Sequence, residues 1–282
     1  MMLATLMLIA ATQVRFANGV TVELSTANEW LMVKARGRHF SEIKVRRKGR
    51  PSETLSLSHY LKSRIEAPVP GDKTSNDLKW EYSHGSILPL LFQLVPTSKS
   101  RGWGVIGFSR THFSQPNDMV QDLVAIDVAS RPKIVFVRTI GVPADYGTTP
   151  TFPRLFHSKG ELLLRTATGF EVLDATGKPK SKFNIANSGR MIGQAKSALV
   201  FGDNSTTNPA VTFFDLATRA IKTVKIPLPK GQVTSVDFQR SDNPNTCNVS
   251  MAVNVSPTRF AYARYVIDFS ARTVRGPVMK SH

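Results

Sequence analysis

Val211-Thr212-Phe213-Phe214-Asp215-Leu216-Ala217-Thr218-Arg219 is the stretch whose reading decides the fold. An apolar run ends in an aspartate, mostly small residues follow, and a base stands four places after the aspartate. The pattern recurs as Leu123-Val124-Ala125-Ile126-Asp127-Val128-Ala129-Ser130-Arg131 and as Phe170-Glu171-Val172-Leu173-Asp174-Ala175-Thr176-Gly177-Lys178. It returns once more as Tyr265-Val266-Ile267-Asp268-Phe269-Ser270-Ala271-Arg272. The aspartates Asp127, Asp174, Asp215 and Asp268 lie 47, 41 and 53 residues apart.

The runs are β-branched and aromatic, which suits strands packed in a sheet. A carboxylate at the strand end accepts hydrogen bonds from backbone N–H groups just beyond it and so holds a tight reversal. A second strand leaves each turn, as in Lys133-Ile134-Val135-Phe136-Val137 and Lys222-Thr223-Val224-Lys225-Ile226. One hairpin buries too little to stand alone, so such units stack face to face. Strand-rich units at this period predict an all-β fold, a β-propeller of about five or six four-stranded blades. The aspartates are accordingly expected to be turn residues.

The stretch 211–229 resembles the YVTN type of propeller repeat, and Asp174-Ala175-Thr176-Gly177-Lys178 resembles part of a quinoprotein repeat. The tryptophan that closes a quinoprotein repeat is absent, so the resemblance implies no pyrroloquinoline quinone site. Trp30, Trp80 and Trp103 are followed by Leu, Glu and Gly, so the Trp-Asp signature of WD repeats is missing as well. The resemblance covers residues 100–280 and only faintly the first hundred. It implies a fold and little chemistry, since propellers host unrelated activities.

A single domain spanning 1–282 is expected from length and repeat. Its opening run, Met2 to Ala11, is too short to span a bilayer, which takes about 20 apolar residues. Two readings of residues 1–17 stand side by side. One is a secretory signal, whose basic leading segment is missing. The other is a blade strand ahead of Val20-Thr21-Val22-Glu23-Leu24, where Glu23 echoes the aspartates. The first reading tilts the expected location to the periplasm or outside. Residues 62–84, rich in Pro, Ser, Asp and Lys, read as a long loop, and a further unit is expected between Glu23 and Asp127.

The net charge of +17 favours polyanionic partners. Residues 34–64 concentrate it, with ten bases against Glu42 and Glu53. In Ile43-Lys44-Val45-Arg46-Arg47-Lys48 the period of two places Lys44, Arg46 and Lys48 on one face of a strand, with Arg50 just beyond. These four are the candidate binding residues. A basic row contacts successive phosphates or carboxylates with salt-sensitive affinity. The same run also resembles a nuclear-localisation segment, and it would equally serve to protect a sheet edge.

Catalytic signals are thin. The six histidines form no paired motif, the lone Cys247 permits no disulfide, and no metal site or cofactor is expected. Gly102-Trp103-Gly104-Val105-Ile106-Gly107 matches a dinucleotide fingerprint, but no helix follows, so it reads as a strand with glycines at tight packing positions. Glu81, Asp203, Asp237, His84 and His157 are the residues that could reach a propeller channel. The expected function is a non-catalytic, monomeric binding module whose partner is a protein or an anionic polymer, acidic saccharide or nucleic acid. The alternative is an extracytoplasmic hydrolase or lyase with its active site in the channel, acting on an anionic saccharide.

Overall fold

A computed structural model describes residues 13–24, 42–66, 87–110, 121–140, 154–166, 169–185, 189–195, 198–257 and 259–281. These residues form five four-stranded antiparallel sheets, each a meander of strands consecutive in sequence, the blade pattern of a β-propeller. The first holds β1 (Gln13–Arg15), β2 (Thr21–Glu23), β3 (Glu42–Arg46) and β4 (Glu53–Ser56). The second holds β5 (Ile87–Pro96), β6 (Arg101–Arg110), β7 (Gln121–Asp127) and β8 (Lys133–Ile140). In the third are β9 (Leu155–Ser158), β10 (Glu161–Arg165), β11 (Gly169–Leu173) and β12 (Pro179–Asn184). The fourth comprises β13 (Arg190–Ala195), β14 (Ala198–Asp203), β15 (Ala210–Asp215) and β16 (Ile221–Lys225). The fifth comprises β17 (Gln232–Arg240), β18 (Thr246–Ser256), β19 (Arg259–Asp268) and β20 (Thr273–Ser281). Two compact units are distinguished, 1–167 with 171–182, and 168–170 with 183–282.

Burial explains the sequence pattern. The third strands β7 and β15 are covered on both faces, so Leu123–Ile126 and Val211–Phe214 are continuous apolar or near-apolar runs. Strands β12 and β16 lie at the outer edge, and their Lys180, Lys182, Lys222 and Lys225 face solvent. Lysines there oppose pairing with another chain. In the first unit Val22, Ile43, Val45, Leu91 and Ile106 share one core. In the second, Val211, Phe213, Val249, Met251 and Ile267 share another.

The aspartate turns have the expected construction. Asp127 Oδ1 accepts from Ala129 N at 2.8 Å, and Asp215 Oδ1 from Ala217 N and Thr218 N at 2.9 Å each. Asp174 Oδ1 takes Thr176 N at 2.8 Å and Lys178 N at 3.0 Å, and Asp268 Oδ1 takes Ala271 N at 2.9 Å. Three of these turns pass through a left-handed residue, Gly177 in one and Arg219 and Arg272 in the others, at φ of 80°, 60° and 55°.

Three expectations are corrected. Glu23 ends the second strand of its sheet, so the chain after it completes that sheet, and no extra unit lies between Glu23 and Asp127 among the described residues. β3 is flanked by β2 and β4, so its bases do not protect an edge. The segment expected to be a loop from residue 62 begins inside a helix, α1 (Leu57–Glu66), which buries Leu57, Tyr60, Leu61 and Arg64. That spacing of i, i+3, i+4 and i+7 is a helix face. It escapes a hydrophobic reading because one of its four positions is an arginine. Arg64 Nη2 donates to Asp122 Oδ1 at 3.1 Å and to Thr139 Oγ1 at 2.7 Å, and the Tyr60 hydroxyl donates to Asp122. Burial, then the Asp122 charge, pushes the Tyr60 phenol well above its usual range.

Candidate anion-binding site

The third strand of the first sheet ends on Arg46, where the third strands of the second, fourth and fifth sheets end on Asp127, Asp215 and Asp268. Register supports the equivalence, since Arg46 pairs with Thr21 at the start of β2 as Asp127 pairs with Arg101 at the start of β6. The repeat therefore carries one charge-reversed copy. An arginine cannot accept from the turn N–H groups. Arg46 instead turns to Glu23 on the adjacent strand, Nη2 to Oε1 at 2.6 Å.

The four residues expected to bind fall into two pairs. Lys44 and Arg46 project from the exposed face of β3, while Ile43 and Val45 are buried on the other. The strand stops at Arg46, so Lys48 does not extend that row. Lys48 and Arg50 sit with Arg47 in the turn to β4, closed by Arg50 N to Arg47 O at 3.2 Å and by Gly49 at a φ of 73°. Both are exposed.

Arg47 is not among the four expected residues. Its Nε donates to Glu53 Oε1 at 2.8 Å and its Nη2 to the backbone carbonyl of Ser130, in the β7–β8 turn of the second sheet. This crosslink brings the two turns together around an open groove of about 570 Å³ lined by Arg47, Arg50, Glu53, Thr54, Ser130 and Arg131. The groove unites one residue of the expected set, Arg50, with two further arginines. Arg131 was visible in the sequence as the base four places after Asp127. Only adjacency of the turns, a tertiary fact, joins it to Arg50. A parallel contact exists in the second unit, where Arg272 Nη2 reaches Asp215 Oδ2 at 3.2 Å. There the receiving group is a carboxylate, so charge cancels.

The other candidates have structural partners or fall elsewhere. Asp203 Oδ1 accepts from Ser205 N at 3.0 Å, and Asp237 Oδ2 from Gln239 Nε2 at 2.9 Å. Cys247 is buried with Sγ against the Gln239 carbonyl at 3.2 Å. Glycines 102, 104 and 107 lie in β6, and a Cβ on Gly104 would come within 2.8 Å of the Gln93 carbonyl. His157 is exposed in a second groove of about 430 Å³ that also includes Arg101, Asp127 and Asp174. Glu81 and His84 lie outside the described residues. Among the described residues no group of three or more His, Cys, Asp or Glu is placed to hold a metal ion, and no helix is long and apolar enough to cross a membrane.

No family model matches the chain, and no curated protein does. Among solved structures it is similar to a variant of B. megaterium levansucrase, at TM-score 0.38 and 8% identity over 95% of this chain and 82% of that one. It is also similar to TolB from Acinetobacter baumannii, at TM-score 0.26 and 11% identity over 95% of this chain and 63% of that one. The site chemistry is therefore read from this chain's own residues.

Proposed function

We propose that the chain is a monomeric, non-catalytic binding module of YVTN-like repeats that offers the basic turn of its first sheet to an anionic polymer. The observation that carries this reading is the arginine at the end of β3. Other turns of the repeat place a carboxylate there and gain its hydrogen bonds to the backbone. The first sheet forgoes them and instead presents Lys44 and Arg46 on the exposed face of β3, with Lys48 and Arg50 exposed in the turn beyond it. Cations so placed displace counterions from a polyanion, and each phosphate or carboxylate contact steepens the dependence on salt.

Binding to heparin and to single-stranded DNA at increasing sodium chloride tests the reading. The triple variant Lys44→Glu, Lys48→Glu, Arg50→Glu should lose at least tenfold in affinity. The slope of log K against log salt should flatten by roughly 0.7–0.9 per contact removed. Unchanged affinity and slope would remove the basic turn from any role in binding.

A further inference from the structure

The groove between the first two sheets carries an unbalanced charge of defined size. Arg47 is matched by Glu53, and its guanidinium is further fixed by the Ser130 carbonyl. Arg50 and Arg131 are exposed, and neither makes a side-chain hydrogen bond or ion pair among the described residues. Two positive charges thus stand unmatched at the groove, with the Thr54 hydroxyl as a further donor.

We propose that this groove takes a terminal phosphate monoester, held as its dianion between Arg50 and Arg131. The proposal rests on the basic turn being a binding surface, and it names the group that the surface selects. A phosphodiester, a sulfate ester or a carboxylate carries one negative charge and leaves one guanidinium unmatched. A phosphate monoester carries about −1.5 to −2 at neutral pH and has three oxygens for charge-assisted bonds. Arginine forks suit such oxygens because they donate in parallel pairs. The groove is open to solvent and, at about 570 Å³, has room for the phosphate and the group that bears it.

Calorimetric titration of the full chain with phenyl phosphate and with phenyl sulfate separates the possibilities. At about pH 7.5 the phosphate should bind about tenfold tighter, and the preference should vanish at about pH 5, where the phosphate becomes a monoanion. Arg50→Gln with Arg131→Gln should weaken phenyl phosphate about tenfold or more, while Lys180→Glu with Lys225→Glu, on the exposed edge strands β12 and β16, should leave it within about twofold. Equal affinity for the two esters at pH 7.5 would overturn the selection of a dianion. Undiminished phenyl phosphate binding in the arginine variant would overturn the groove itself. If the arginine variant keeps the ester while Lys44→Glu with Lys48→Glu loses heparin, the broader reading survives without the groove. If neither variant weakens either ligand, both readings fall. Matching thermal unfolding of the variants and the parent chain shows that the fold is intact.

Discussion

The β3–β4 turn and the β15–β16 turn occupy the same place in their sheets and are built from opposite charges. In the fourth sheet Asp215 holds two backbone N–H groups at 2.9 Å each and receives Arg272 from the neighbouring turn at 3.2 Å. In the first sheet Arg46 stands at that place, holds none of its own turn, and pairs backward with Glu23 at 2.6 Å. Both turns are crossed by an arginine, Arg272 in one and Arg47 in the other. In the fourth sheet Asp215 and Arg272 cancel, and the remaining cation, Arg219, lies over the Phe183 ring at 5.4 Å. In the first, Lys48 and Arg50 have no ion pair among the described residues and face solvent. The difference teaches that the repeat keeps its sheet without the aspartate turn, since the first sheet holds the same register with an arginine at that place.

The largest expected effect comes from moving the first turn's chemistry into the fourth. Asp215→Arg removes the carboxylate that accepts from two backbone N–H groups and sets a cation against Arg272, so it should cost roughly 2 kcal/mol of stability. A urea titration measures it, and a loss too small to resolve would break the claim that the aspartate organises the turn.

A smaller effect distinguishes the turns by pH. The Thr176 hydroxyl, then the Lys178 N–H, hold the Asp174 carboxyl below its usual range, and the Ala271 N–H does so first for Asp268. A carboxyl depressed in the folded state contributes stability above its unfolded pKa of about 4 and loses that contribution as pH falls through the folded value. Urea midpoints should therefore fall below about pH 4, and Asp174→Asn should make part of that fall disappear. The β3–β4 turn has no carboxylate at the corresponding place, so Lys48→Gln, in that turn and without an ion pair among the described residues, should leave the acid limb as it is. A changed acid limb in that variant would contradict the comparison.

Much of the architecture was legible because it repeats. Four aspartate phrases predict the third strands of four sheets, and the alternation of Ile43, Lys44, Val45 and Arg46 predicts a strand with one basic face. The first sheet was misaligned because Glu23 imitates the aspartates in charge while the true counterpart, Arg46, reverses it. Helix α1 was missed because its buried face includes Arg64, whose partner Asp122 lies far along the chain. The groove was legible only in half. Arg50 stood out within a basic run, whereas Arg131 looked like one more base of the repeat until Arg47 tied the two turns together.

The most direct test of the basic turn sets two variants of equal net charge against each other. One is Lys48→Glu with Arg50→Glu in the first turn. The other is Lys180→Glu with Lys225→Glu on the exposed edge strands β12 and β16. Heparin affinity is measured for both across a range of salt. The turn variant should fall at least tenfold with a flatter salt slope, and the edge variant by no more than about twofold. Equal losses in the two would mean that overall charge, and not the turn that replaces aspartate with arginine, attracts the anion.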